Sequence, residues 1–165
     1  MVRVFYNVSV IDGFTNTVIA TIPVGPVSSV IGDRIGVNTS TNLIYVTNGT
    51  SNNVSVIDGF TNAVIATIPV GDFPVGVGVN TSTNLIYVAN SISNNISVID
   101  GFTNTILATI PVGLIPVGVG IHTSTNLIYV TNNASNDVSV INGNNNTILT
   151  TVPVGFFPTG VGVNP

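Results

Sequence analysis

The chain has 165 residues, 44% of them hydrophobic but only 5% charged, with a formal net charge of −4. Lys, Glu and Gln are absent, which removes the best polar helix formers and leaves an all-β chain. Without a basic cluster there is no surface for nucleic acid, and without Cys there is no disulfide framework or thiolate chemistry.

The start, Met1-Val2-Arg3-Val4-Phe5-Tyr6, runs straight into repeat sequence, with no apolar core or cleavage site of a signal peptide. Val8-Ser9-Val10-Ile11 is the first apolar strand. Asp12-Gly13 turns the chain, and a second strand over 17–22 closes at Pro23. The first strand then recurs. Val54-Ser55-Val56-Ile57-Asp58-Gly59 returns 42 residues later from Ile96, and again after 42 from Val138. From Val8 to Val54 the step is 46, and the extra four residues fall between Pro26 and Ile35, as an insertion in a loop would.

Each complete unit predicts four short strands, a to d. In the second unit, strand a is Gly76-Val77-Gly78-Val79-Asn80, followed by the turn Thr81-Ser82-Thr83-Asn84. Strand b is Leu85-Ile86-Tyr87-Val88, strand c Ile96-Ser97-Val98-Ile99, and strand d covers 105–110 before Pro111. Asp-Gly or Asn-Gly at the c–d corner supplies the positive φ of a tight hairpin. Proline after strand d suits an edge strand. Strand b is apolar on both faces, so it is covered on both sides, as when small sheets stack face to face around an axis. The glycines of strand a allow the close backbone approach that an innermost strand needs. The most apolar stretch, 106–121, is broken by two prolines and three glycines, and no membrane insertion is expected.

At Leu-Ile-Tyr-Val-Thr-Asn (43–48 and 127–132, with Ala89 replacing Thr in 85–90) the chain resembles the YVTN family of β-propeller repeats. Ser-Val-Ile-Asp (9–12, 55–58, 97–100) and Ala-Thr-Ile-Pro-Val-Gly (20–25, 66–71, 108–113) extend the likeness over essentially the whole chain. The resemblance implies an all-β, β-propeller-type array of four-stranded antiparallel blades in one domain. It also implies an extracellular or cell-surface location, related to surface-layer proteins, and brings no catalytic residues. Family propellers are usually seven-bladed, whereas three complete blades and parts of a fourth are present here. The fourth consists of strands c and d at the start and a terminal strand a over 160–164. Its strand b is missing unless Val2 to Tyr6 substitutes. The chain is thus expected to be an arc or a fragment, with unpaired edges through which copies self-associate.

No constellation for chemistry assembles. Asp12, Asp58, Asp100 and Asn142 share one repeat position, read as the opening residue of a turn and not as a Ca²⁺ ring. His122, the only histidine, replaces Asn80 of the preceding repeat and has no nucleophile or orienting acid to form a triad. Thr81-Ser82-Thr83 and its equivalents are turns, since a 42-residue unit cannot stack them at strand spacing into an ice-binding array. Asn-x-Ser/Thr triplets begin at Asn7, Asn38, Asn48, Asn53, Asn80, Asn95, Asn133 and Asn145, each a glycan acceptor in a secreted protein.

Variation among the repeats points to a surface. The d–a and b–c loops differ most and emerge on one side of the array, with Phe73, Ile92, Leu114, Ile115, Phe156 and Phe157 at their tips. These are the candidate anchors for a protein or cell-surface component. The alternative is that they plug gaps between blades. The function read from this pattern is a non-catalytic binding or structural module without metal or cofactor. A lactonase- or lyase-like propeller enzyme is the rival, as is a truncated repeat fragment without independent function. The enzyme would need convergent acids or histidines, where strand a supplies Gly and Val.

Overall fold

The computed structural model describes residues 6–26 and 34–164. Within them are fourteen strands, and the one helical element is a 3₁₀ turn at Gly49–Ser51. Strands β1 (Tyr6–Asp12) and β2 (Thr17–Val24) form a two-stranded sheet. Three four-stranded antiparallel sheets follow: β3 (Ile35–Asn38) to β6 (Ala63–Pro69), β7 (Pro74–Asn80) to β10 (Thr105–Pro111), and β11 (Pro116–His122) to β14 (Thr147–Pro153). Between lie β4 (Leu43–Asn48), β5 (Asn53–Asp58), β8 (Leu85–Asn90), β9 (Asn95–Asp100), β12 (Leu127–Asn132) and β13 (Asp137–Asn142). Each sheet is an up-and-down meander in sequence order, so the a–b–c–d reading holds and the chain is a β-propeller-type array.

The core is divided into layers, one per pair of neighbouring blades. Tyr45, Val54, Val56 and Ile68 of the first full blade meet Val77, Ile86, Val88 and Ile99 of the second. The same positions of the second blade, Tyr87, Ile96, Val98 and Ile110, meet Ile128, Val130 and Ile141 of the third. Strand b is therefore buried on both faces, as its unbroken apolar run requires.

Strand a explains how the blades come so close. A Cβ on Gly78 would lie 2.7 Å from Val119 Cγ1 and 3.1 Å from Ile121 Cδ1. On Gly36 it would lie 2.9 Å from Val79, and on Gly120 2.9 Å from Val163. On Gly76 it would run into the backbone carbonyl of Val117. Each strand a is thus a row of glycine sockets filled by the apolar residues of the next strand a. Thr47 Oγ1 adds a hydrogen bond to the Val75 carbonyl across the same interface (2.8 Å). Where Ala89 replaces that Thr, Ser91 Oγ donates to the Pro116 carbonyl instead (2.7 Å).

Three expectations are corrected. At the c–d corners the positive φ falls on Asn16, Asn62, Asn104 and Asn146, not on the glycine of Asp-Gly. The Asp accepts from the two following amides (Phe60 N 2.7 Å and Thr61 N 3.0 Å from Asp58 Oδ1), and Asn62 N closes a wider turn on the Asp58 carbonyl. Glycine is required there for space. A Cβ on Gly101 would lie 2.5 Å from Asn84 Oδ1, while Gly101 N donates to the Asn84 carbonyl (2.9 Å). Residues 160–164 do not form a strand, because among the described residues no strand b lies beside them to complete a ladder. They still occupy the strand-a place, with Val161 and Val163 seated on Gly120. Tyr129 is only half-buried, unlike Tyr45 and Tyr87, since among the described residues no complete blade covers its face. The proposed strand-b substitute Val2 to Tyr6 lies outside the described residues up to position 5, and Tyr6 itself opens β1. Most of the Pro26–Ile35 loop lies outside them too.

Two predictions follow from the packing. Gly101→Ala places a methyl against Asn84 and should destabilise by about 1–3 kcal/mol in thermal or urea unfolding. Gly13→Ala is the internal control, because nothing lies within 4 Å of that position, and it should change stability little. The second concerns alkaline pH. Burial pushes the Tyr45 hydroxyl up to about 12, with the Asp100 carboxylate adding to it, and burial does the same to Tyr87, also to about 12. Neither hydroxyl has a hydrogen-bond partner among the described residues. Their folded-state pKa lies above the ordinary tyrosine value, so the unfolded chain loses these protons first and stability falls as pH rises from 10 towards 12. Tyr45→Phe with Tyr87→Phe should melt at or above wild type at pH 7 and show a smaller loss of Tm over that window.

Candidate functional site

The d–a and b–c loops emerge together and are hydrogen-bonded to one another. Ser91 N donates to the Phe73 carbonyl (3.0 Å) and Ile92 N to the Asp72 carbonyl (3.2 Å). One repeat later, Asn133 N donates to the Ile115 carbonyl (2.9 Å) and Ala134 N to the Leu114 carbonyl (3.1 Å). From the other side, Asp72 N donates to Ser93 Oγ (2.6 Å) and Leu114 N to Ser135 Oγ (2.7 Å).

These contacts hold an unusual backbone. Phe73, Ile115 and Phe157 have φ of 58°, 51° and 54°, the left-handed region that a bulky side chain rarely enters and a β-branched one least of all. In each case the amide donates to an asparagine side chain of the preceding blade: Phe73 N to Asn52 Oδ1 (3.0 Å), Ile115 N to Asn94 Oδ1 (2.9 Å), Phe157 N to Asn136 Oδ1 (2.9 Å). The strain is of the order of 1–2 kcal/mol per residue.

Between the second and third full blades these loops enclose an apolar cleft of about 210 Å³. Three of the six sequence candidates line it: Phe73, Ile92 and Ile115. Val75, Val117, Ser91 and Asn133 complete the wall. Sequence reasoning missed the two valines because it began strand a at the glycine after them. Their signal was the Pro-Val that directly follows the apolar loop tips, Phe73-Pro74-Val75 and Ile115-Pro116-Val117. Leu114, Phe156 and Phe157 are exposed on the same face but stay outside the cleft. Phe73 also packs against the layer between the blades, so at this position the gap-filling role and the cleft-lining role are held by one side chain.

The other candidates have structural roles. Asn48 and Asn90 are fully buried, and their Nδ2 groups bridge Asn53 Oδ1 to Ser55 Oγ and Asn95 Oδ1 to Ser97 Oγ at 2.7–2.9 Å. Asn38 and Asn80 are also buried and donate to the turn asparagines Asn84 (2.6 Å) and Asn126 (2.8 Å) of the next blade. Those four positions are closed to a glycan in the folded chain, whereas Asn7 and Asn145 are exposed. His122 takes the place of that asparagine and accepts from Thr125 N through Nδ1 (3.3 Å), which makes it a turn residue. Hydrogen bonds from Thr15 N and Phe14 N hold the Asp12 carboxyl below the usual range. Those from Thr61 N and Phe60 N do the same for Asp58. Among the described residues no group of three His, Cys, Asp or Glu comes together to hold a metal.

The opposite face and outer rim are more apolar than the sequence implied. Phe14, Phe60 and Phe102 stand out at the c–d corners. A β-bulge in each c–d pair turns Ile19, Ile65, Leu107 and Leu149 outward along the rim.

No protein-family model and no curated protein sequence matches the chain. Among solved structures it is similar to hydrazine synthase of Kuenenia stuttgartiensis, at 21% identity and a TM-score of 0.73 over 81% of this chain and 40% of that one. A functionally unknown protein from Desulfotomaculum acetoxidans is similar at 20% identity and a TM-score of 0.72, over 88% of this chain and 48% of that one. The WD40 repeats of RRP9 follow at 13% identity and 0.66, over 72% and 37%. The chain spans less than half the length of each of these chains, and the likeness establishes the propeller-type fold.

Proposed function

We propose that the chain is a non-catalytic binding module of a cell-surface, YVTN-type propeller, which docks a protein or cell-surface component on the face of its d–a and b–c loops. The observation that carries this reading is the pair Phe73 and Ile115, held at positive φ on the rim of one apolar cleft. A turn that needed only to connect two strands is cheaper with Gly or Asn at such a position, and this chain uses Asn at every other one of its positive-φ turns among the described residues. Strained backbone that presents an apolar side chain to a cleft fits a recognition role. A partner's aromatic or branched aliphatic side chain entering between Phe73, Ile92 and Ile115 would be desolvated on most sides, the setting in which one residue contributes most to affinity. The repeated Leu-Ile-Tyr-Val-Thr-Asn supports the family assignment and the extracellular location. A structural role is the second reading, favoured by the exposed phenylalanines of the c–d corners, which would pack arrays side by side.

Cosedimentation of the purified chain with cell envelopes of its source separates the two. Ile115→Gly with Phe73→Ser should lose at least tenfold in apparent affinity. Phe60→Ser with Phe102→Ser should bind as wild type. Ile115→Gly alone should stay within about 1 kcal/mol of wild-type stability, since relief of left-handed strain offsets lost packing and added chain entropy. The converse binding pattern moves the site to the c–d face. A collapse of stability in Ile115→Gly makes the side chain a part of the inter-blade core and removes the main support for the proposal.

A further inference from the structure

The two ends of the array carry the two halves of the interface that holds its blades together. At the C-terminal end are open sockets: among the described residues nothing lies within 4 Å of a Cβ on Gly155, Gly160 or Gly162, although Gly113, Gly118 and Gly120, one repeat earlier, are filled by the chain that follows them. Gly120, one repeat before Gly162, receives Val161 and Val163, and Gly78 receives Val119 and Ile121. At the other end are unused knobs. Ile35 and Val37 occupy the same strand-a positions as Val119 and Ile121, yet each is 49% exposed. They line a groove of about 360 Å³ along β1, together with Val8, Val10, Ile44 and Ile57.

The c strands tell the same story. Ile57, Ile99 and Ile141 are each fully buried against the preceding blade, whereas their equivalent Ile11 is 63% exposed. Tyr129, Val138 and Val152 on the far side of the third full blade are incompletely covered, although Tyr45, Val54 and Ile68 at the same positions are buried by the blade that follows.

We infer that the chain associates head to tail with a second copy of itself, residues 159–164 of one copy seating in the groove along β1 of the other. Gly162 then receives Ile35 and Val37, and Ile11 meets Tyr129 and Val152, contacts that their repeat equivalents already make. The shared blade consists of strand a from one copy and strands c and d from the other. Such a contact is heterologous, and two copies that close on each other use both ends of each. The occupant is a second copy because the groove is a further instance of an interface this chain already makes between its own repeats, and because the segment that fits it is held on Gly120 by one face only, with Gly160 and Gly162 open on the other.

Light scattering coupled to gel filtration of the full chain tests this at about 5–200 µM. Wild type should run at twice the 16.9 kDa chain mass and dissociate on dilution. Gly162→Val fills an open socket and costs the single chain nothing sterically. It should run at the single-chain mass with unchanged far-ultraviolet circular dichroism. Ile35→Ser with Val37→Ser blocks the other end and should also be monomeric. Mixing these two variants restores one good junction, so a species of twice the chain mass should reappear. A wild-type monomer over the whole range overturns the inference and leaves the groove to a segment of some other chain. So does a Gly162→Val protein that remains dimeric, or a mixture that stays monomeric.

Discussion

Backbone meets backbone where successive strands a pass one another, and the rest of the array depends on that approach. Only a glycine leaves room for it, as the carbonyl of Val117 over Gly76 and the methyls of Val119 against Gly78 demonstrate. Because the innermost strands lie so close, the middle strands behind them can bury Tyr45, Ile86 and Val88 on facing sheets. A blade alone could not do this. Its b strand is apolar on both faces and becomes a core only between two neighbours.

Polar groups follow the same logic. An array with 5% charged residues has few ion pairs with which to fix register, and it uses amides and hydroxyls instead. The buried asparagine ending strand b ties the b–c loop through a serine and the residue opening strand c. The asparagine ending strand a reaches the turn of the next blade. Left unpaired, each such buried group would cost about 1–3 kcal/mol, so the repeated Asn and Ser are as much a part of the blade as its valines. The d–a loops are where this economy is relaxed. Phe73, Ile115 and Phe157 stand in a backbone conformation that asparagine fills elsewhere, and the first two of them face the apolar cleft.

Much of this was legible in the sequence because a repeat reports its own boundaries. The 42-residue step, the double apolar face of Leu-Ile-Tyr-Val and the glycines of strand a fix the strand order and the innermost strand. What stayed hidden depends on contacts between repeats. Asp-Gly reads as a positive-φ hairpin, but Gly59, Gly101 and Gly143 are there for the asparagine of the neighbouring turn, a contact no local rule contains. The bulges that turn Ile65 and Leu107 outward leave no mark in an alternating apolar pattern. Tyr129 reads like Tyr45 and Tyr87, and only the absence of a complete following blade in the described structure sets it apart. At the loop face the tips were legible from their variation, whereas Val75 and Val117 became part of the cleft only once two blades were set side by side.

The claim that glycine sockets filled by the next strand a hold the array together is tested most directly by a double-mutant cycle between Gly78 and Val119 in urea unfolding. Gly78→Ala adds a methyl 2.7 Å from Val119 Cγ1, and Val119→Ala removes the group it meets. Each single change should destabilise. The double variant should be more stable than the sum of the two by about 1 kcal/mol or more, because the new methyl enters the space the valine vacates. Strict additivity, or a Gly78→Ala variant as stable as wild type, would contradict the account.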